Sequence, residues 1–262
     1  MTWTTRPRSE VGSLAAIVAG EGVPVVLLHG VGLRAEAWNR QIDRLAKQAK
    51  VIAIDLPGHG QSPPLDGPRT LAGFADALID SIPEGALIIG HSMGAMLALA
   101  LAERLPSQVR GLAALNAIFE RSPAAQKAVQ ARAASLDPAQ VPNPTSTLER
   151  WFGKGACPER DACEDWLQGV SPAGYKSAYS VFANENGPAR TTLARLHCPA
   201  LFLTGADEPN STPQMSEQMA ALCPDGRAQI IDGAAHMMPM THADQTNTAL
   251  LTFMAEIDHV DA

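Results

Sequence analysis

The run ALIIGHSMGAMLALALAERL, residues 86–105, constrains the fold more than any other part of this 262-residue chain. Its first residues form a short apolar run of strand length, and the stretch after Met93 is dominated by helix formers. Only Gly90, His91, Ser92, Met93 and Gly94 separate them, so strand must become helix within one sharp turn. Such a turn forces its central serine into strained backbone geometry, and the flanking glycines let the two backbones come close. The Ser92 hydroxyl then projects at the C-terminal edge of a sheet, beside a helix N-terminus whose free N–H groups favour negative charge. In this strand-turn-helix setting the serine is a candidate nucleophile.

The same alternation runs through most of the chain. Short apolar runs at 24–29, 51–55, 86–90, 109–117, 200–204 and 228–232 predict strands, with an earlier one over Val11 to Gly20 feeding the next. Stretches of helical period at 35–47, 70–81, 93–105, 213–222 and 244–257 fill the gaps, the last but one opened by Thr212 as N-cap and Pro213 at the first helical position. This βαβ succession predicts an α/β class with a mostly parallel sheet and helices on both faces. Residues 119–196 break the pattern with an Ala-rich start, a Pro-containing middle and most of the aromatic residues. A connection that long needs structure of its own, so we read a core of 1–118 and 197–262 with a helical cap inserted at 119–196.

A formal charge of -7 without a run of Lys or Arg argues against nucleic acid and anionic membrane as partners. Cys157, Cys163, Cys198 and Cys223 lack CxxC spacing, so no metal is expected, and a reducing, cytoplasmic setting is. No window approaches the apolar length of a membrane span.

A serine hydroxyl needs a base, and histidine has the suitable pKa. His236, in IIDGAAHMMPM, follows the last strand and falls at the same sheet edge as Ser92. His29 and His59 lie upstream in turns, where structural hydrogen bonding is the expected role, and His91 points away from the turn it shares with the serine. An acid must orient the base from a strand end between the two in chain order, and LTGADEP supplies Asp207 and Glu208. The backbone N–H groups of Met93 and Val31 are the expected oxyanion-hole donors, Val31 lying in the glycine-flanked loop HGVGLR.

With VVLLHGVGLRAEAW, VIAIDLPGHGQS, IIGHSMGAMLALALA, ALFLTGADEP and GAAHMMP in place, the chain resembles the α/β-hydrolase fold family over nearly its whole length. It looks most like small bacterial serine hydrolases such as enol-lactone hydrolases and carboxylesterases. The resemblance implies a Ser-His-acid triad, a helical cap and no cofactor. Many members carry G-x-x-D after the late strand, and counting from Gly205 favours Glu208 as the acid, with Asp207 the alternative.

The expected reaction is therefore hydrolysis of a small ester or lactone through an acyl-enzyme on Ser92. Carbon-carbon bond hydrolases and acyltransferases use the same triad, and a non-catalytic ligand receptor is the alternative from another class. Trp151, Phe152, Trp166 and Tyr175 are candidates for the pocket wall, and Met93, Met96, Met237 and Met238 for its floor. Arg34, just past the oxyanion loop, is placed either to receive a substrate carboxylate or to sit solvated at a helix start.

Overall fold

The computed structural model describes residues 3–260. Its strands are β1 (Ser9–Val11), β2 (Leu14–Ala19), β3 (Pro24–Leu28), β4 (Lys50–Ile54), β5 (Ala86–His91), β6 (Val109–Leu115), β7 (Ala200–Gly205) and β8 (Gly226–Ile231). They form one sheet in the order β1-β2-β4-β3-β5-β6-β7-β8. β1 and β2 pair antiparallel and the other six run parallel.

The central strands read as unbroken apolar runs because both of their faces are covered. Side chains alternate between the faces. Val25 and Leu27 of β3 enter a core with Ile42 of α1 (Asn39–Leu45), whereas Val26 and Leu28 enter a second core on the other side of the sheet. That second core holds Phe74 of α2 (Leu71–Leu78) and Leu97 of α3 (Met93–Arg104). Thr70 caps α2, its side chain accepting from Gly73 N.

The early strand expected over Val11 to Gly20 is instead a hairpin. Gly12, at φ +59°, opens a two-residue turn between β1 and β2, a position that favours glycine in a primed hairpin turn. A three-residue strand is too short to show a period. The helix expected at 35–47 is a 3-10 turn over Ala35–Trp38 that continues into α1.

Between β6 and β7 the chain forms helices only: α4 (Pro123–Ser135), α5 (Thr145–Phe152), α6 (Pro158–Gly169), α7 (Pro172–Asn184) and α8 (Arg190–Ala194). Ser122 and Ser171 cap α4 and α7, each followed by proline at the first turn. α7 seats its first turn on the loop after β4, where a Cβ on Gly174 would lie 2.2 Å from the Gly58 carbonyl oxygen. The C-terminal part comprises α9 (Pro213–Leu222), α10 (Met238–Thr241) and α11 (Ala243–Val260). Thr212 occupies the N-cap position of α9 but its side chain makes no capping hydrogen bond. No helix of the described residues is long and apolar enough to cross a membrane.

Candidate active site

Ser92 lies between β5 and α3 at φ 57°, ψ −115°. A non-glycine residue at positive φ costs on the order of 1–3 kcal/mol, and here close packing holds it. A Cβ on Gly90 would lie 2.0 Å from the Gly94 carbonyl oxygen, and one on Gly94 would lie 2.0 Å from that of Leu28. Both motif glycines are thus dictated by backbone contact. Ser92 N donates to Leu115 O at 2.9 Å, which ties the turn to β6.

The loop after β3 approaches the same serine, a Cβ on Gly30 falling 3.2 Å from Ser92 Cβ. Two buried imidazoles shape that loop. His59 Nε2 accepts from Gly32 N at 3.0 Å, and His29 Nε2 accepts from Leu56 N at 3.0 Å. Their Nδ1 atoms face the carbonyls of Pro57 and Gly30 respectively, so each ring is neutral with the proton on Nδ1. Burial pushes the pKa of His59 down to about 3 and that of His29 in the same direction. With Gly32 N engaged, the N–H groups of Val31 and Met93 have no acceptor among the described residues.

Glu208 and His236 meet at the ends of β7 and β8. The Glu208 carboxylate accepts from His236 Nδ1 at 2.6 Å through Oε2, and from the N–H groups of Asn210 (2.7 Å) and Ser211 (3.3 Å) through Oε1. Burial alone would raise the Glu208 pKa, but the imidazole and the backbone donors outweigh it and hold the group at about 2. Asp207 is exposed, its N–H spent on Ala234 O, and it makes no hydrogen bond or ion pair with His236.

Two residues to which the sequence assigned no role at the site hold the backbone of His236. Asn116 Nδ2 donates to His236 O at 2.6 Å, and His91 Nε2 contacts the same oxygen at 2.8 Å. Asn116 adopts φ 50° at the end of β6, and its Oδ1 accepts from Thr204 Oγ1 at 2.8 Å. An asparagine directly after an apolar strand is the signal that marks such a position. Burial, with His236 nearby, pushes the His91 pKa down to about 3. Trp151 of α5 stacks on the His236 ring with centroids 5.6 Å apart and planes inclined by 21°.

Ser92 and His236 open on one pocket of about 460 Å³ between the sheet edge and the inserted helices. Their side chains are not hydrogen-bonded to each other, a contact that often tightens only when substrate binds. Val31, Trp151 and Tyr175 line it, joined by Tyr179 and Phe182. A smaller cavity of about 250 Å³ lies at the opposite end of the strands, around Val25, Leu87 and Ile257, away from these groups.

Several residues that the sequence offers for the pocket lie elsewhere. Arg34 does not line the pocket: its Nε pairs with Glu36 Oε2 at 2.7 Å, beside a buried cluster in which Arg8 binds Glu36 and Asp55. Phe152, next to Trp151 on α5, packs against the core, and so does Met237, which is 1 % exposed. Trp166 is likewise a packing residue, edge-on to Trp3 at 6.3 Å. Conversely, Arg121, Arg132 and Arg150 line the pocket. The sequence does carry a trace of them, since residues 121–154 hold five basic and two acidic side chains in a chain that is acidic as a whole. Among the described residues no cluster of three His, Cys, Asp or Glu could hold a metal ion.

A sequence profile of the Alpha/beta hydrolase family matches residues 25–249. The (E)-2-((N-methylformamido)methylene)succinate hydrolase of Acinetobacter baylyi is 38% identical over 242 residues, covering 90% of this chain and 91% of its own. Pimeloyl-[acyl-carrier protein] methyl ester esterase of Chromobacterium violaceum is 31% identical over 246 residues, 88% of this chain and 94% of its own. Among solved structures, a malate-bound thermophilic esterase from Thermogutta terrifontis superposes with a TM-score of 0.85 at 25% identity, covering 96% of this chain and 99% of that one. The enol-lactonase from Burkholderia xenovorans LB400 shares the fold, with a TM-score of 0.80 at 22% identity over 95% of this chain and 100% of that one.

Proposed function

The chain belongs to the Alpha/beta hydrolase family and is a hydrolase, and from that premise we propose that it cleaves a small ester or lactone through an acyl-enzyme on Ser92. His236 is the general base and Glu208 its orienting acid. The observation that carries this reading is the Ser92 turn opening on the same pocket as an imidazole whose Nδ1 is bound to a buried carboxylate.

In the first step Ser92 Oγ attacks the acyl carbon while His236 Nε2 takes its proton. Glu208 keeps the Nδ1 proton in place and balances the imidazolium. The negative charge that develops on the acyl oxygen meets the N–H groups of Val31 and Met93, each such donor contributing roughly 10²- to 10³-fold in rate. His236 then protonates the leaving group. Water attacks the acyl-enzyme with the same imidazole as base, and Ser92 is released.

A carbon-carbon bond hydrolase or an acyltransferase would run the same steps with another leaving group or acceptor. The relative at 38% identity is named for a substrate containing an amide, which favours one second reading, attack on an N-acyl group. The inserted helices act as the cap that selects among these substrates. The four cysteines are free thiols, which supports the cytoplasm as the compartment.

A fluorophosphonate probe tests the reading directly. It should label wild-type protein on Ser92 and leave Ser92→Ala unlabelled; an unreactive wild type would overturn the proposal. Parallel panels of p-nitrophenyl esters, lactones and N-acyl substrates would then rank the leaving groups.

A further inference from the structure

The pocket concentrates positive charge within a chain whose formal charge is -7. Arg121, Arg132 and Arg150 all line it, none of the residues lining it is Asp or Glu, and among the described residues no carboxylate pairs with any of the three. Arg121 is 8 % exposed, and its Nη1 faces the carbonyls of Glu185 (2.7 Å) and Phe182 (3.3 Å) and Gln126 Oε1 (3.3 Å). Arg132 reaches Thr147 Oγ1 at 2.5 Å and Ser146 Oγ at 3.5 Å. All of these partners are neutral. Among the described residues the one carboxylate at His236 is Glu208, which leaves an excess of two positive charges when His236 is neutral.

The cations are spread along the pocket wall. Arg121 lies 4.4 Å over the Phe182 ring and Arg132 5.4 Å from that of Tyr179, two rings whose centroids are 6.1 Å apart. Arg150, a turn away from the helix start that anchors Arg132, feels Arg132 strongly enough that burial first, and Arg132 second, lower its pKa. Burial likewise brings Arg121 down to about 10. Desolvated cations of this kind are stabilised by an anion that enters with the substrate, and guanidinium groups match carboxylates in shape.

We propose that the pocket takes a dicarboxylate acyl substrate, with one carboxylate held between Arg132 and Arg150 and the other at Arg121. This rests on the acyl-enzyme reading above and names its substrate class. A compact anion such as phosphate presents one charged centre, whereas a dicarboxylate presents two.

The test uses the intact protein carrying Ser92→Ala and titrates it calorimetrically with malonate, succinate, glutarate and adipate, with butyrate and inorganic phosphate beside them. One dicarboxylate should bind at least about tenfold tighter than butyrate or phosphate, since a charge-assisted hydrogen bond contributes roughly 1.5–3 kcal/mol, about 10- to 150-fold. Added salt should weaken it. Arg150→Gln, which removes a side chain with no ion pair among the described residues, should lose about tenfold or more while melting like the parent, which separates binding from folding. Arg121→Gln should lose as much, and its melting curve reports whether the carbonyl anchors were structural. If wild-type Ser92 is labelled by the fluorophosphonate but dicarboxylates bind no better than butyrate or phosphate, the dicarboxylate inference falls and the acyl-enzyme stands. Tight dicarboxylate binding to a protein that the probe never labels would keep the anion site and remove the acyl-enzyme.

Discussion

The two walls of the pocket are built to different tolerances. On the sheet side the backbone holds every group: Ser92 by a turn whose glycines touch carbonyl oxygens, His236 by two side chains on its own carbonyl, Glu208 by two N–H groups. On the helical side the arginines rest on hydroxyls, carbonyls and aromatic rings, and Trp151 meets His236 by stacking alone. A reaction centre needs geometry good to a fraction of an ångström, which a sheet edge supplies. A wall of side chains on short helices is free to change its chemistry without disturbing that geometry. Under the proposed acyl-enzyme mechanism, the contrast teaches that the two sides answer different questions: how a bond is broken, and in which molecule.

Substitutions can break that contrast or sharpen it. The largest effect is expected at the acid, where Glu208→Gln should lower kcat by about 10³- to 10⁴-fold through loss of the correct imidazole tautomer, while Asp207→Asn stays within about twofold. Steady-state kinetics decides, and the reverse ranking would hand the role to Asp207. Next, Gly94→Ala should destabilise the fold by about 3 kcal/mol or more, because its Cβ meets the Leu28 oxygen at 2.0 Å with no flexible side chain to yield. Gly155→Ala, between α5 and α6 with open space around it, should stay within about 0.5 kcal/mol. Urea unfolding of the pair would erase the distinction between the walls if both lost the same amount.

A smaller, pH-dependent effect concerns Glu208 again. Its pKa of about 2 in the folded protein lies below its ordinary value of 4.5, so its contribution is complete above about pH 4.5 and lost as pH falls through 2. Wild type and Glu208→Gln should therefore converge in stability across that window, and a gap that stayed constant would contradict the ionised pair. Least of all is expected from Arg34→Ala, which should alter kcat/KM by the same small factor on neutral and carboxylated esters, since its guanidinium is committed to Glu36. A loss confined to the carboxylated ester would return Arg34 to the pocket.

Legibility in the sequence followed the same division. The strand-turn-helix at Ser92 could be read because its constraints act between neighbours in the chain: a five-residue apolar run, two glycines and an Ala/Leu helix. The ends of β7 and β8 could be read for the same reason, and with them the candidates Glu208 and His236. Asn116 and His91 escaped because their task is to grip a carbonyl far along the chain, which no local pattern encodes. Arg34 had two readings from the sequence, and only the fold shows that Glu36 turns back to meet it. No local pattern marks Arg121, Arg132 and Arg150 as pocket residues, because α4, α5 and α7 bring them to one cavity only through the fold.

From sequence alone came the parallel α/β architecture and the strand ends where chemistry-bearing residues collect, because strand period, turn glycines and helix formers are local signals. Tertiary structure alone decided which of two adjacent acids is buried against His236, and which cations of an acidic chain face the pocket. Burial and long-range pairing set both outcomes, and neither is a property of neighbouring residues.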